Sequence, residues 1–410
     1  MISSIEKLLV SIDFGSKFLD LGELILDRKK VYFKYLDQFL DEKLNISPFK
    51  LQLNNSIQSC ETTIFDGLHG VFGDSLPDGW GRLLVDRKLQ KSRVNPYDVN
   101  PLNRLAIVGK NGPGALIYQP IIENEIVLNP NQISGLDEIS DEIQYLLKDE
   151  STRILDQLFI LGGSSGGARP KVNLFYNPKS DKFSFSDSGI SQTNFEHWIV
   201  KFPSSFDPKD IANIEYAYYL MAIDAGLKMN DSKLFQTPAG NYYFGTKRFD
   251  RNKNERHHLH SAAGILHDNF RLSNIDYGHL MDCAFKLESN VSAYENILKL
   301  AAFNVFSHNR DDHSKNVSFL MNAEGNWTLA PTYDLTFSTS SHGYHSTSIA
   351  GEAQNPEKSH LLKLAQTFGI KHANHLLDQV QSSIQKWNQF ADEAKVSKMS
   401  KQRIAKIIVK

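Results

Sequence analysis

The sequence predicts an α+β fold of two lobes, one strand-rich with a single long helix and one all-helical, preceded by a mixed α/β subdomain. Three observations predict it. Between residues 171 and 250, short β-branched and aromatic runs alternate with turn residues, broken by one helical stretch, "DPKDIANIEYAYYLMAIDAGL". From about residue 260, apolar residues recur at helical spacing through five segments up to the terminal "SKMSKQRIAKIIV". Before residue 125, strand-like and helix-like runs are mixed and punctuated by glycine and proline. The expected division is therefore 1–125, 126–255 and 256–410.

In chain order, "LLVSIDFG" and "KKVYFKYL" read as β-hairpin strands. "LPDGWGRLLVDRKLQKS" turns helical, with Leu83, Leu84 and Arg87 at helical spacing, and Trp80 is expected to be a packing anchor. "GKNGPGALIYQP" is a glycine-rich turn before another strand. The polar stretch from 129 to 152 begins as a linker. From Leu136 it carries a helix stripe of Ile139, Ile143, Leu146 and Leu147. "KVNLFYN" and "KFSFS" pair across "PKSD", and "EHWIVKFP" puts Trp198, Val200 and Phe202 on one strand face. The following helix is expected to have Asp207 as N-cap, Pro208 at its first position and Gly226 at its end. "KLFQT" and "YYFGTKRFDR" meet at "PAGN". In the last third, the strand-like interruption is "NVSFLMNAEGNWTLAPTYDL".

Composition narrows the class. The chain has 410 residues, 41% hydrophobic and 22% charged, as in an ordinary globular protein. A net charge of −2 gives no support to nucleic-acid coating. Cys60 and Cys283 form no C-x-x-C pair, which argues against a disulfide framework or cysteine zinc site and fits a reducing, cytoplasmic compartment. No run of about 18 apolar residues predicts a membrane span. The opening "MISSIEKLLVSIDFGSKF" meets Asp13 and Gly15 too early for a signal-peptide core.

The chemistry concentrates in two places. "LGGSSGGARPK" (161–171) is too rich in glycine to pack, but bare backbone amides can close around phosphate. It matches neither the P-loop nor the dinucleotide fingerprint. "SHNRDDHSKNVSFL" (307–320) holds Asp311 and, five residues on, Asn316. A hairpin then leads to Tyr333 and Asp334. Helix, Asp/Asn loop, hairpin and second Asp form the layout of a protein-kinase catalytic centre. Phosphoryl transfer needs one carboxylate beside the acceptor hydroxyl, here Asp311. It also needs oxygen ligands for Mg²⁺, here Asn316 and Asp334. Lys201, mid-strand among apolar neighbours, and Glu215, on the apolar arc of the next helix, each need a partner and can supply it to one another. "FGTKRFDR" stands where the segment between lobes would read adenine.

These pieces, in this order, resemble the HipA family of toxin serine/threonine kinases from bacterial type II toxin–antitoxin modules. The resemblance rests on "FDGLHGVFGDSLPDGWGRLL", "GGSSGGARPK", "WIVKFP", "NIEYAYYLMAIDAGL", "GTKRFDR", "LHSAAGIL", "NRDDHSKNVSFL" and "LAPTYDL". It implies a bilobal protein-kinase-like fold with a HipA N-terminal subdomain. It also implies ATP and Mg²⁺ as cofactors and Asp311 as catalytic base. Gly166, Gly167, Ala168, Arg169, Pro170 and Lys171 would form the phosphate loop, and Lys201 would contact nucleotide phosphate. Lys247, Arg248 and Phe249 would form the adenine-facing hinge, with His313 and Tyr333 at the nucleotide site. The family autophosphorylates a loop serine, which switches the kinase off. Ser164 holds that position by counting back from "GARPK", and adjacent Ser165 is equally free. The implied partners are a helix-turn-helix antitoxin, through which DNA is met indirectly, and a protein substrate such as an aminoacyl-tRNA synthetase. The loop departs from well-known members in its two Gly-Gly pairs and its Arg-Pro before the lysine.

Other features have plainer readings. His257, His258, His260 and His267 lack cysteine and zinc-protease spacing and read as structural, while His342 and His345 read as loop residues. The basic tail reads as a solvated helix face. Two other functions are weighed: an ATP-binding, antitoxin-binding module without transfer, and a metal-dependent phosphohydrolase built on "DDH". The first is disfavoured because Lys201, Asp311, Asn316 and Asp334 are all present. The second leaves Lys201, Glu215 and the glycine-rich loop unexplained.

Overall fold

Alternating apolar positions build the first sheet. Leu8, Val10 and Ile12 of β1 (Lys7–Asp13) are fully buried on one face. β1 pairs antiparallel with β2 (Phe18–Asp27), and β2 with β3 (Lys30–Tyr35). β4 (Gln58–Ser59) and β5 (Leu116–Gln119) complete the order β4-β3-β2-β1-β5. Helices α1 (Asp37–Leu40), α2 (Gly70–Gly73), α3 (Gly79–Lys91) and α4 (Pro101–Val108) lie between β3 and β5 in the chain. The computed structural model describes residues 4–122, 135–150, 152–164, 166–185, 194–340 and 343–409. The linker expected at the start of 129–152, Ser165 and His342 fall outside them.

Helices α5 (Leu136–Leu147) and α6 (Leu155–Gly162) lead into the second sheet. α5 starts where its stripe begins and buries Leu136, Ile139, Ile143 and Leu146. Strands β6 (Lys171–Asn177), β7 (Lys182–Ser184), β8 (Glu196–Lys201), β9 (Ser232–Gln236) and β10 (Tyr242–Lys247) are ordered β7-β6-β8-β10-β9. Trp198, Val200 and Phe202 are buried together, as the alternation predicts.

Helix α7 (Ile211–Asp224) crosses between β8 and β9. It begins later than expected, with Asp210 rather than Asp207 at its N-cap. The Asp207 carboxylate is taken by the amide and hydroxyl of Ser204, at 2.9 and 2.7 Å, and by Arg169 at 3.2 Å. The chain therefore turns through Pro208 before the helix starts. Its end agrees with expectation: Gly226 has φ +80°, and Leu227 N–H returns to the Ala222 carbonyl at 3.0 Å.

The remaining chain contains the ribbon β11 (Arg251–Asn252) and β12 (Glu255–Arg256), then β13 (His258–Ser261), α8 (Ala262–Leu266), α9 (Tyr277–Glu288) and α10 (Ser292–Phe306). The hairpin β14 (Ser318–Met321) and β15 (Trp327–Leu329) follows, then α11 (Lys358–Thr367), α12 (Ala373–Gln385), α13 (Trp387–Glu393) and α14 (Lys398–Ile408). The lobe is helical, as expected, apart from the small sheet β13-β14-β15, in which β13 adds a strand to the expected hairpin. None of the described helices is long and apolar enough to cross a membrane.

Two hydrophobic cores result, and they correct the boundary expected at residue 125. Trp80, Leu84, Val85 and Leu89 of α3 are buried with α5, α6 and the second sheet, not with the first. The first sheet shares its core with the helical lobe. The physical reason is the direction of the apolar face of α3, which sequence proximity does not decide.

The seam between the first sheet and the helical lobe is polar and buried. Asp74 accepts from His260 Nδ1 at 2.7 Å, Ser261 N–H at 2.7 Å and Ser261 Oγ at 2.6 Å. Ser47 Oγ lies 3.0 Å from His260 Nε2. Ser, His and Asp are thus aligned as in a hydrolase triad, but Ser47 and His260 are 0% exposed and no substrate reaches them. The cluster instead ties two parts of the fold together. A β-carbon on Gly70 would meet the Gly264 carbonyl oxygen at 2.0 Å, so α2 and α8 touch backbone to backbone.

Candidate active site

Strand β8 ends with Lys201, whose side chain turns into the cleft between the second sheet and the helical lobe. Its ammonium pairs with Glu215 of α7 and with Asp334 Oδ1, the latter at 2.5 Å. Lys201 and Glu215 are 10% and 3% exposed, so the three groups are an ion cluster largely removed from water. Burial alone would lower the Lys201 ammonium; Asp334 and Glu215 overcome it and hold it above its ordinary value. Burial would likewise raise Asp334, but Lys201, Lys171 and Arg169 hold it well below the usual carboxylate range.

The catalytic-loop candidates lie against the same cleft. Asn316 Nδ2 donates to the Asp311 carbonyl at 2.9 Å, which turns the amide oxygen the other way. His313 Nε2 stands 3.7 Å from Asp311 Oδ1. Asp311 is 59% exposed, yet the cleft walls strip enough water to raise its carboxyl, against His313 and with help from Asp334. Beneath it, the Asp312 carboxylate accepts from His345 Nδ1 at 2.9 Å, Tyr277 OH at 3.0 Å and Ser346 N–H at 2.8 Å. His345 is therefore a buried brace of the loop rather than a plain loop residue.

The glycine-rich loop is held from both sides. Gly167 has φ +82°, which glycine adopts without strain. Trp80 N–H donates to its carbonyl at 2.9 Å, and Trp80 Nε1–H donates to the Lys171 carbonyl at 2.9 Å, which makes Trp80 the expected anchor. Pro170 presents its carbonyl to Phe202 N–H at 2.8 Å. Gly166 leaves space beside Asp78, where a β-carbon would lie 3.4 Å from Oδ1. Ala168 sits at the contact with Gly79. Arg169 reaches Asp207 and, at 4.0 Å, Glu215. Ser164 Oγ donates to the Asn111 carbonyl at 2.8 Å, outside the cleft cluster.

The hinge candidates are only partly available. Lys247 N–H donates to the Asp231 carbonyl and Arg248 N–H to the His197 carbonyl, both at 2.8 Å. Those two amides are committed to the protein, which corrects the expectation that they face adenine. The Lys247 ammonium is on Glu196 at 2.6 Å, and Arg248 grips Asp250. Phe249 packs on Tyr333, with ring centroids 5.4 Å apart. Tyr333 OH in turn bonds Ser318 Oγ and the Lys315 carbonyl.

Two residues of the cleft escaped the sequence reading, Lys315 and Asp78. They form an ion pair across 237 positions of chain. Lys315 lies one residue before Asn316, so the loop motif could have marked it; nothing local marks Asp78. A separate cavity of about 360 Å³ is lined by Lys228, Glu288, Lys299 and Thr332, with Asn316 and Tyr333 on one wall, and excludes Lys201, Asp311 and Asp334.

The residues suit a nucleotide and a hard cation. Lys171 is buried, its ammonium tucked under Gly167, and among the described residues no carboxylate lies within ion-pair distance of it. Desolvation lowers it, and a phosphate would supply the missing charge. Asn316 and Asp334 offer oxygen donors only, a sparse set that fits Mg²⁺ with its retained waters.

Comparison with known proteins agrees with this arrangement. Residues 17–119 match the HipA N-terminal domain, and residues 163–388 match the HipA-like C-terminal domain. The serine/threonine-protein kinase toxin HipA of Shewanella oneidensis is 28% identical over 203 residues. That match spans 42% of this chain and 42% of the relative's length. The solved complex of Shewanella oneidensis MR-1 HipA with HipB and its operator DNA superposes with a TM-score of 0.66. It covers 97% of this chain and 95% of the other at 20% identity, a likeness of fold.

Proposed function

The chain belongs to the HipA family, and from that premise we propose that it is an ATP- and Mg²⁺-dependent protein serine/threonine kinase, the toxin of a type II toxin–antitoxin module. One observation carries the reading: Lys201 is gripped by Glu215 and Asp334 together, beside Asp311 and Asn316. A phosphohydrolase has no use for the lysine–glutamate pair.

In the proposed reaction the acceptor hydroxyl gives its proton to Asp311. Its oxygen bonds to the γ-phosphorus, and the bond from that phosphorus to the bridging oxygen of ADP breaks. A carboxyl raised above its ordinary pKa accepts that proton more readily than a free one. Lys201 and Lys171 hold phosphate, while Glu215 aims Lys201. Gly166, Gly167, Ala168, Arg169 and Pro170 shape the loop around it. Asn316 and Asp334 are the oxygen donors for Mg²⁺, which when bound neutralises phosphate charge. Phe249, His313 and Tyr333 serve the nucleotide's other end, with the hinge contribution confined to groups that Lys247 and Arg248 have not already committed.

Autophosphorylation is proposed at Ser164 or Ser165. A phosphate there adds about −1.5 to −2 charges to a loop meant for ATP phosphates and turns the enzyme off. A helix-turn-helix antitoxin is the proposed partner, DNA contact being indirect; the likeness to the HipA–HipB–operator complex supports it. An aminoacyl-tRNA synthetase is the proposed substrate class and the cytoplasm the proposed compartment. The three-part division at 125 and 255 is retained, with α3 serving the second part.

The test is intact mass and phosphopeptide mapping after incubation with ATP and Mg²⁺. Asp311→Asn should cut transfer at least about 100-fold while ATP affinity stays within severalfold. Transfer at the native rate by that variant removes Asp311 as the base.

A further inference from the structure

Asp78 stands at the N-cap of α3, where an aspartate ordinarily accepts from the helix's own first amides. Its side chain caps nothing there. Oδ1 accepts from Gly167 N–H in the glycine-rich loop, and Oδ2 pairs with Lys315 Nζ in the loop of Asp311. The two side chains are 13% and 18% exposed, so the pair lies within the cleft and not on its rim.

The neighbouring backbone fixes this placement. Gly79 has φ +43°, and a β-carbon on it would meet the Gly167 carbonyl oxygen at 2.4 Å. Trp80 N–H donates to that same carbonyl at 2.9 Å. Residues 78–80 thus hold Gly167 by both its N–H and its C=O. The two groups that Asp78 occupies, a loop amide and a buried ammonium, are an anion-binding pair. Directly beneath Gly167 lies the Lys171 ammonium, which has no carboxylate within ion-pair distance among the described residues. Asp78 therefore satisfies part of an anion site whose third cation stays unpaired.

We propose that Asp78 is a tethered anion filling the terminal-phosphate subsite, and that the γ-phosphate of ATP must displace it to reach Lys315 and the Gly167 amide. The inference rests on the kinase reading. Without nucleotide the carboxylate keeps a buried lysine paired, which is costly to leave alone. With ADP nothing competes for the position. With ATP one anion replaces another, so the residue sets how strongly the cleft prefers triphosphate over diphosphate.

The test measures ATP and ADP affinity, with Mg²⁺, by calorimetry on the wild type, Asp78→Asn and Lys315→Met. Asp78→Asn is expected to tighten ATP roughly tenfold, the worth of a charge-assisted hydrogen bond, and to leave ADP within about twofold. Lys315→Met is expected to weaken ATP and spare ADP. Equal changes for both nucleotides, or selective weakening of ATP by Asp78→Asn, overturn the inference alone. Absence of binding of either nucleotide to the wild type overturns it together with the nucleotide reading. Should Asp78→Asn fail to fold, a wild-type crystal with a non-hydrolysable ATP analogue decides: Lys315 on the γ-phosphate with Asp78 moved away is expected, and Asp78 still on Lys315 overturns it.

Discussion

At the scale of single residues, the cleft trades stability for charge placement. Asp311 has its carboxyl raised by lost hydration and by Asp334. A folded pKa above the unfolded one means that the ionised group disfavours the native state once pH exceeds the unfolded value near 4. Asp311→Asn should therefore melt slightly higher at pH 7, by about 1 °C, and the gain should vanish near pH 3; thermal melts at both values check this. Lys201→Ala should act the other way. It strands Glu215, 3% exposed, and should lower unfolding free energy by roughly 3 kcal/mol, less whatever Arg169 restores, while weakening ATP binding and turnover. Denaturant titration and single-turnover assays separate the two effects, and unchanged kinetics would remove Lys201 from the site. Asp311, Asn316, Asp334, Lys201 and Glu215 were legible because each stands on a recognisable element in a recognisable order. Asp78 was not, because its meaning lies in a partner 237 positions away.

At the scale of elements, the apolar period located helices and strands well, and polar residues at their ends did so less well. α5 begins at Leu136 because its first apolar residue also begins its buried stripe. α7 begins at Ile211 and not beside Asp207, because Ser204 and Arg169 compete for that carboxylate. The end of α7 depends on Gly226 at φ +80°, where a β-carbon would approach Gln379 Nε2 at 2.9 Å. Gly226→Ala should cost about 1 kcal/mol from backbone strain, since the Gln379 side chain can move. Urea unfolding should show the loss, with ADP affinity little changed because Gly226 touches no charged group of the cleft. The hinge shows the same limit of local reading: its segment was found, but backbone pairing with Asp231 and His197 had already used two of its amides.

At the scale of the whole molecule, the first sheet and the helical lobe are joined by a histidine-rich seam. His258 Nε2 lies 2.9 Å from the Ile46 carbonyl, and Gly70 N–H donates to His267 Nε2 at 3.0 Å. Burial lowers His258 to about 3 and His69 and His267 to about 4, with Lys50 adding to the effect on His267 and Asp74 opposing it. Unfolded histidine titrates near 6.5, so between about 4 and 6.5 the unfolded chain binds more protons and stability falls as pH falls. Fully buried His258 alone should contribute on the order of 2 kcal/mol of loss by pH 5. Hydrogen exchange at pH 7 and 5 should show protection lost first in β1–β3 and α8, and His258→Gln should flatten the pH dependence. A second long-range tie is Asp250, which binds Arg248, Arg251 and Gly114 N–H. Asp250→Ala should cost roughly 3 to 5 kcal/mol by leaving buried guanidinium groups unpaired, measurable by denaturant unfolding.

The amino-acid sequence alone determined the two-lobed α+β class, most strand and helix positions, and the ordered set Lys201, Glu215, Asp311, Asn316 and Asp334. Each follows from periodicity or from short-range chemistry written within a few residues. Only the tertiary structure decided that α3 packs in the second core, that the first sheet and the helical lobe share the other, and that Asp78 meets Gly167 and Lys315. Burial faces and ion pairs between distant segments are settled by how whole elements dock, and no local pattern records that docking.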